Sequence, residues 1–309
     1  MRRYIGKRLL ATIPTLFFIA FIIFAIMSFT PGSPGRLILG NFAPQDAVDA
    51  VNRQLGYDQP FPVRFANYIG SILRLDFGSS YRSGDPVIAE ILARLPNTLF
   101  LTIVAVMSCA AMGISLGIFA AVRQYSAADN GLTVLALFFS SVPAFWLGMM
   151  MIYLFSYRLG WFPTHGVGSW KAFVLPAITL SLSGIGGMLR LTRSTMLEAI
   201  RQDYIRTVKA KGVPENVVVW RHALKNALLP VVTVIGMSFG GLLGGAVVVE
   251  NVFSIPGIGS LLVNAIRMKD IPVVMGCTIF LSALFSLIML LVDILYAYID
   301  PRIKAKYER

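Results

Sequence analysis

Six stretches of this chain run on without a single charged side chain: 9–29, 99–122, 132–157, 172–189, 226–249 and 271–292. A helix needs roughly 20 apolar residues to cross the hydrocarbon of a bilayer, about 30 Å at about 1.5 Å per residue. Each stretch is close to or above that length. A soluble fold could not hide so much apolar surface. The mean hydropathy is +0.73 and only 14% of residues are charged, where a soluble domain carries about 25%. The expected fold class is therefore an all-α integral membrane protein with six transmembrane helices.

The first stretch follows Arg2, Arg3, Lys7 and Arg8, as a secretory signal would. Its 21 residues exceed a signal core, and Thr30-Pro31-Gly32 stands where a small-x-small cleavage site would be. A retained span is expected. The fourth stretch is the shortest and holds Pro176, Gly184, Gly186 and Gly187, which predicts a kink or tilt. Pro14, Pro143 and Pro230 lie in the first, third and fifth. Such breakers are tolerated where neighbouring helices satisfy the freed backbone groups.

Basic residues set the expected orientation. With six spans both termini share a side. Placing them in the cytoplasm gives that side the four N-terminal basic residues, eight in the 190–225 loop, and Arg302, Lys304, Lys306 and Arg309. The short loops opposite hold only Arg158, Lys171, Arg267 and Lys269. That bias is the positive-inside pattern, and it accounts for the net charge of +12 without nucleic acid. The chain then divides into 1–29 (N-terminal end and first helix), 30–97 (an extracytoplasmic segment) and 98–309 (a five-helix core carrying the 190–225 loop). The 30–97 segment is expected to be partly helical: Phe61, Phe65, Ile69 and Ile72 recur at helical spacing, as do Val87, Ile88, Ile91, Leu92 and Leu95 after Asp85-Pro86.

Motifs for chemistry are missing. No G-x-x-x-x-G-K-[ST] phosphate loop and no H-E-x-x-H occurs, and the two histidines, His165 and His222, fall on opposite sides of the predicted membrane. Cys109 and Cys277 both lie in apolar runs, where packed thiols are the expectation and no metal site is indicated. The one acid read inside apolar surroundings is Asp293, close to an interface. A proton-coupled carrier needs more buried ionisable groups than that, so a self-contained secondary transporter is the weaker reading.

Two segments invite contacts. Gly236, Gly240 and Gly244 repeat every four residues in the fifth run, a spacing that lets helix backbones approach closely; the stripe suits a translocation path between subunits or static packing within one. The 190–225 loop contains a helix-favouring stretch up to Gly212, a residue suited to a helix end, and then Pro214, which opens the next helix. Two short helices with a sharp elbow are predicted, with a positive φ at Gly212.

At this loop the sequence resembles a known family. Tyr204-Ile-Arg206-Thr207-Val-Lys-Ala210-Lys211-Gly212-Val213-Pro214, with Arg221-His222-Ala-Leu-Lys-Asn226 beyond it, is similar to the EAA loop of permeases from binding-protein-dependent ABC importers, in the form typical of the peptide and nickel subfamily. Arg206, Thr207 and Val208 replace the E-A-A of the general pattern. Leu55-Gly-Tyr-Asp-Gln-Pro60, Asp76-Phe-Gly-Ser-Ser80, Leu95-Pro-Asn-Thr-Leu99, the 248–259 stretch, Asp270-Ile-Pro-Val-Val274 and Asp300-Pro-Arg302 extend the likeness along the chain in order. The resemblance implies a type I importer permease fold in a bacterial inner membrane and a peptide-like cargo (dipeptide, oligopeptide or glutathione), with nickel or another small solute as the alternative. It also implies a second homologous permease, two cytoplasmic ATPases that bind ATP and Mg in place of this chain, and an extracytoplasmic solute-binding protein. The chain itself would be no enzyme and would hold no cofactor. Tyr204, Arg206, Thr207, Ala210, Lys211, Gly212, Val213, Pro214 and His222 are then the candidate ATPase-docking residues.

Overall fold

The computed structural model of the chain describes residues 2–30, 32–40 and 42–299. In chain order its helices are α1 (Arg2–Phe29), α2 (Pro34–Leu39), α3 (Gln45–Gln54), α4 (Phe61–Leu73), α5 (Val87–Val122), α6 (Ala127–Ser141), α7 (Ala144–Met151), α8 (Val174–Ile200), α9 (Asp203–Ala210), α10 (Glu215–Val217), α11 (Leu224–Val252), α12 (Ile258–Met268) and α13 (Ile271–Ile299). Among the described residues there is no strand, only an isolated bridge between Ser79 and Pro86. The side chain of Asp293, the Asp300-Pro301-Arg302 motif and the basic tail lie outside the described residues.

Among the described residues five helices, α1, α5, α8, α11 and α13, are long and apolar enough to cross a membrane. The sixth apolar run is divided. α6 and α7 meet at a bend of 100°, and α7 continues as a π-helical turn over Ile152–Arg158. The cause is local. Pro143 disfavours the helical region for the residue before it, and Val142 is extended, with φ −74° and ψ 129°. Pro143 itself has no N–H to continue the ladder, so it sits at the cap of α7.

α8 is one uninterrupted helix extending past the fourth apolar run to Ile200. Pro176 lies in its first turn, where a missing N–H costs no helical bond. The glycines serve close approach. Gly186 N–H donates to Ser140 Oγ of α6 at 3.0 Å, and a Cβ on Gly186 would lie 2.9 Å from the Ala136 carbonyl oxygen.

The structure forms two compact units. One is built on residues 97–255, joined by the stretch from Leu287. α8 is its centre: 67% of its most apolar window is buried inside the chain, against 11% for α1. Leu101, Leu180, Met188, Val249 and Phe253 form its core. The other unit is built on 6–96 and 256–286. There Phe61 and Phe65 of α4 each bring their ring centroids to 5.3 Å from Phe24 of α1, so the helical spacing read in this segment is an amphipathic face packed on a span. The second periodic stretch, from Val87, is no separate helix. It is the start of α5, which runs on through Pro96, and Val87 and Ile91 are buried against Ile258, Val274 and Cys277.

Candidate functional site

The 190–225 segment is a stiff elbow. α8 ends at Ile200, and after Arg201 and Gln202 the chain enters α9. α9 stops at Ala210, Gly212 turns the chain in the left-handed region at φ +75°, and Pro214 caps α10 with φ −55° and ψ 141°. The positive φ anticipated at Gly212 is present. The second helix is longer than the sequence suggested: α10 passes through a π-helical turn, Val218–Ala223, directly into α11. The elbow is thus a break between one short helix and the start of a span.

Its inner side is anchored by apolar burial. Ile205 and Val218 are 1% exposed and Ala223 is fully covered, packed with Ile118, Ala121, Met196, Ala199 and Ala227. Val213 is half-buried against the same cluster. Tyr204 clasps the returning strand of chain: its hydroxyl accepts from Asn226 Nδ2 at 2.8 Å and donates to the His222 carbonyl at 3.4 Å. Lys209 reaches Glu215 at 4.0 Å across the turn. On the outer side Arg206 and Thr207 make contacts within α9, to Asp203 at 3.6 Å and 3.1 Å. Arg206, Thr207, Ala210, Lys211, Gly212 and Pro214 are all exposed. Beside them is a cleft of about 300 Å³, lined in part by Gln124, Leu197, Arg201 and Lys209. The arrangement offers a rigid contact surface continuous with two long helices.

The stripe in α11 divides by position. A Cβ on Gly236 would collide with the side chain of Val292 in α13, so this glycine serves packing within the chain. Gly244 faces open space, with nothing among the described residues within 4 Å of an added Cβ. Gly240 lies between them on the same helix. Gly244→Leu therefore fits the isolated chain, and its expected effect is confined to assembly. Co-purification with the other subunits should fall while the amount of inserted chain holds. Unchanged co-purification and transport would mean that this face meets lipid.

Buried acids were missed in the sequence reading. Asp129 is 1% exposed and bound by Arg193 of α8 through two hydrogen bonds of 2.7 Å, from Nε to Oδ1 and Nη2 to Oδ2. Glu250 is wholly buried in α11, and Thr98 Oγ1 donates to its Oε1 at 2.6 Å. Asp270 is 4% exposed and accepts from Ser80 Oγ at 2.5 Å and the Tyr81 N–H at 3.1 Å. Asp129 and Asp270 flank apolar runs and Glu250 directly follows one, a signal that could have singled them out. Their partners are 64, 152 and 190 residues away, which no local pattern shows.

Comparison with known proteins adds the family. Residues 113–305 match the model for the binding-protein-dependent transport system inner membrane component. Residues 1–102 match that of the N-terminal part of binding-protein-dependent transport system membrane components. The glutathione transport system permease protein GsiC of Salmonella choleraesuis (strain SC-B67) is 45% identical over 306 residues, 99% of this chain and 100% of the relative. Its counterpart in Escherichia coli (strain K12) is 44% identical over the same coverage. Among solved structures, the inward-facing MetNI methionine ABC transporter is similar with a TM-score of 0.56 at 18% identity, covering 69% of this chain and 97% of that one. An amino acid ABC transporter gives 0.50 at 15% identity, over 70% and 94%. These two likenesses speak for the fold.

Proposed function

Because the chain belongs to the family of inner membrane components of binding-protein-dependent transport systems, we propose that it conducts peptide-like solutes, glutathione or short peptides, inward through a path shared with a second permease. The full-length identity to glutathione permeases supports that cargo class. A nickel or other small-solute cargo is the alternative within the family. Two ATPase subunits supply the energy, and an extracytoplasmic binding protein delivers the solute. Both termini and the elbow lie in the cytoplasm, on the bias of basic residues.

The observation that carries the reading is the elbow. Its outer residues, Arg206, Thr207, Ala210, Lys211, Gly212 and Pro214, are exposed, while Ile205, Val218 and Ala223 lock it onto the ends of α5 and α8. A surface so held moves only with those helices, as an ATPase contact must. Val213 packs on the inner cluster, and Tyr204 bonds across the elbow to Asn226 and the His222 carbonyl.

A cysteine at Ala210, in a background with Cys109 and Cys277 replaced by alanine, should crosslink to the ATPase subunit in the assembled complex. Vesicles loaded with ATP should take up solute, and vesicles given only an ion gradient should not. Gradient-driven uptake without ATP, or no crosslink under any nucleotide condition, would overturn the assignment. The first outcome would favour a secondary carrier.

A further inference from the structure

α8 is the most covered of the candidate spans, and its coverage is uneven. From Val174 to Gly186 every residue is buried or half-buried. Beyond that point Gly187, Arg190, Ser194 and Glu198 are exposed, and they are the only exposed residues of the helix. Steps of three and four residues set them on one line, at about 100° per residue. The other sides of α8 are taken. Gly186 bonds Ser140 of α6, and an added Cβ on Gly113 of α5 or Gly245 of α11 would press on Met188 or Leu180. α8 is thus closed along its first half and open along one line of its second.

That line is polar, which separates it from a surface meant for hydrocarbon. α1 exposes Leu10, Ile13, Phe18, Ile22 and Ile26, whereas α8 exposes a glycine, a cation, a hydroxyl and an acid. Charged groups on a span turn to the bundle interior or to water, because hydrocarbon penalises them. Arg190 also points the wrong way for a headgroup anchor. Its Nε donates to the Gly186 carbonyl at 3.2 Å, which draws the guanidinium back beside the apolar run of 172–189. A side chain reaching for headgroups would extend towards the elbow instead. Arg193, three residues on, is held by Asp129. Among the described residues Arg190 has no ion pair, so its two terminal nitrogens are left to an acceptor outside the chain. Gly187, one turn back on the same line, leaves room for one: outside its own turn of helix, nothing among the described residues lies within 4 Å of an added Cβ.

We propose that this line belongs to the wall of the solute path, and that Arg190 contacts the carboxylate of a passing solute. With Nε held by Gly186, the two terminal nitrogens form the fork that fits a carboxylate. The missing side chain of Gly187 lets the solute main chain come close, and Ser194 offers a neutral polar contact one turn towards the elbow. An exposed ion pair of this kind is weak, as a contact on a conducting path has to be if the solute is to leave it. The inference rests on the peptide-like cargo proposed above, since such solutes carry a carboxylate.

The test uses the complete transporter with Cys109 and Cys277 replaced by alanine and Arg190→Cys introduced. In inverted membrane vesicles, membrane-impermeant methanethiosulfonates should label the new thiol, both the ethylammonium and the sulfonatoethyl reagent. After reconstitution, ATP-driven uptake of glutathione should be about tenfold below that of the parent. The ethylammonium adduct should recover much of the loss, and the sulfonatoethyl adduct should recover none. Because one folded variant carries either charge, the comparison is free of differences in assembly. A thiol that reacts only with a lipid-soluble maleimide lies against lipid, and overturns the proposal. Equal uptake by the two adducts overturns it as well. A parent transporter that takes up neither glutathione nor a dipeptide fails differently: the cargo reading falls and the carboxylate contact with it, while labelling still reports whether position 190 faces water.

Discussion

Gly212→Glu is expected to leave the protein inserted and assembled with its sister permease while abolishing ATP-driven uptake. At φ +75° a residue with a Cβ costs roughly 1 kcal/mol or more. Among the described residues beyond its two chain neighbours, nothing lies within 4 Å of the new Cβ, so the conformational cost is the one the fold bears there. The carboxylate would then stand on the exposed side of the elbow, at the proposed contact with the ATPase. Gly212→Asn separates the two effects, because asparagine tolerates the left-handed region and is uncharged. It should retain most uptake. The measurement is ATP-dependent solute uptake by proteoliposomes with assembled complex, alongside co-purification of the subunits. Normal uptake by Gly212→Glu would make the elbow a mere tether.

The second large effect concerns stability. Asp129→Ala strips the partner from Arg193, which is only 26% exposed in its side chain. It also frees the Tyr125 N–H, which donates to Asp129 Oδ2 at 2.9 Å. Breaking one side of a buried ion pair typically costs 3–5 kcal/mol, and the partial exposure of Arg193 puts the expected loss near the lower bound, about 3 kcal/mol. Replacing both charges by apolar residues of similar size is often neutral. Asp129→Leu with Arg193→Met should therefore recover most of what Asp129→Ala loses. Thermal unfolding of the purified protein in detergent checks both. Equal stability of the single and double variants would show that the pair does not hold α6 to α8.

What could be read in advance followed from chemistry that is local in sequence. Charge-free runs announce spans because a charge in hydrocarbon is costly, and Gly212-Val-Pro214 announces a turn because glycine admits a positive φ while proline fixes φ and lacks the N–H to continue a helix. The bend at Pro143 was not legible, since Pro14, Pro96 and Pro230 sit in helices that run on. The difference lies in the extended backbone of Val142. Likewise the buried acids show themselves only when Arg193, Thr98 and Ser80 are brought to them from distant helices and turns. The docking residues divided for the same reason. Val213 packs on the apolar cluster of Ile205 and Val218, whereas Arg206, Thr207, Ala210, Lys211, Gly212 and Pro214 are exposed.

The π-helical turn Val218–Ala223 has a geometric consequence for the span that follows. Side chains advance by about 100° per residue around an α-helix, and a π turn accommodates one residue more than an α turn. From Leu224 onward, α11 is therefore clocked about 100° away from the azimuth that an unbroken α-helix from Glu215 would give it. One surplus residue sets which way Gly236 points, and here it points at Val292. If the wide turn migrated along the helix, each residue it passed would be swung through that same angle. The join between elbow and span would then meter rotation in steps of a single residue.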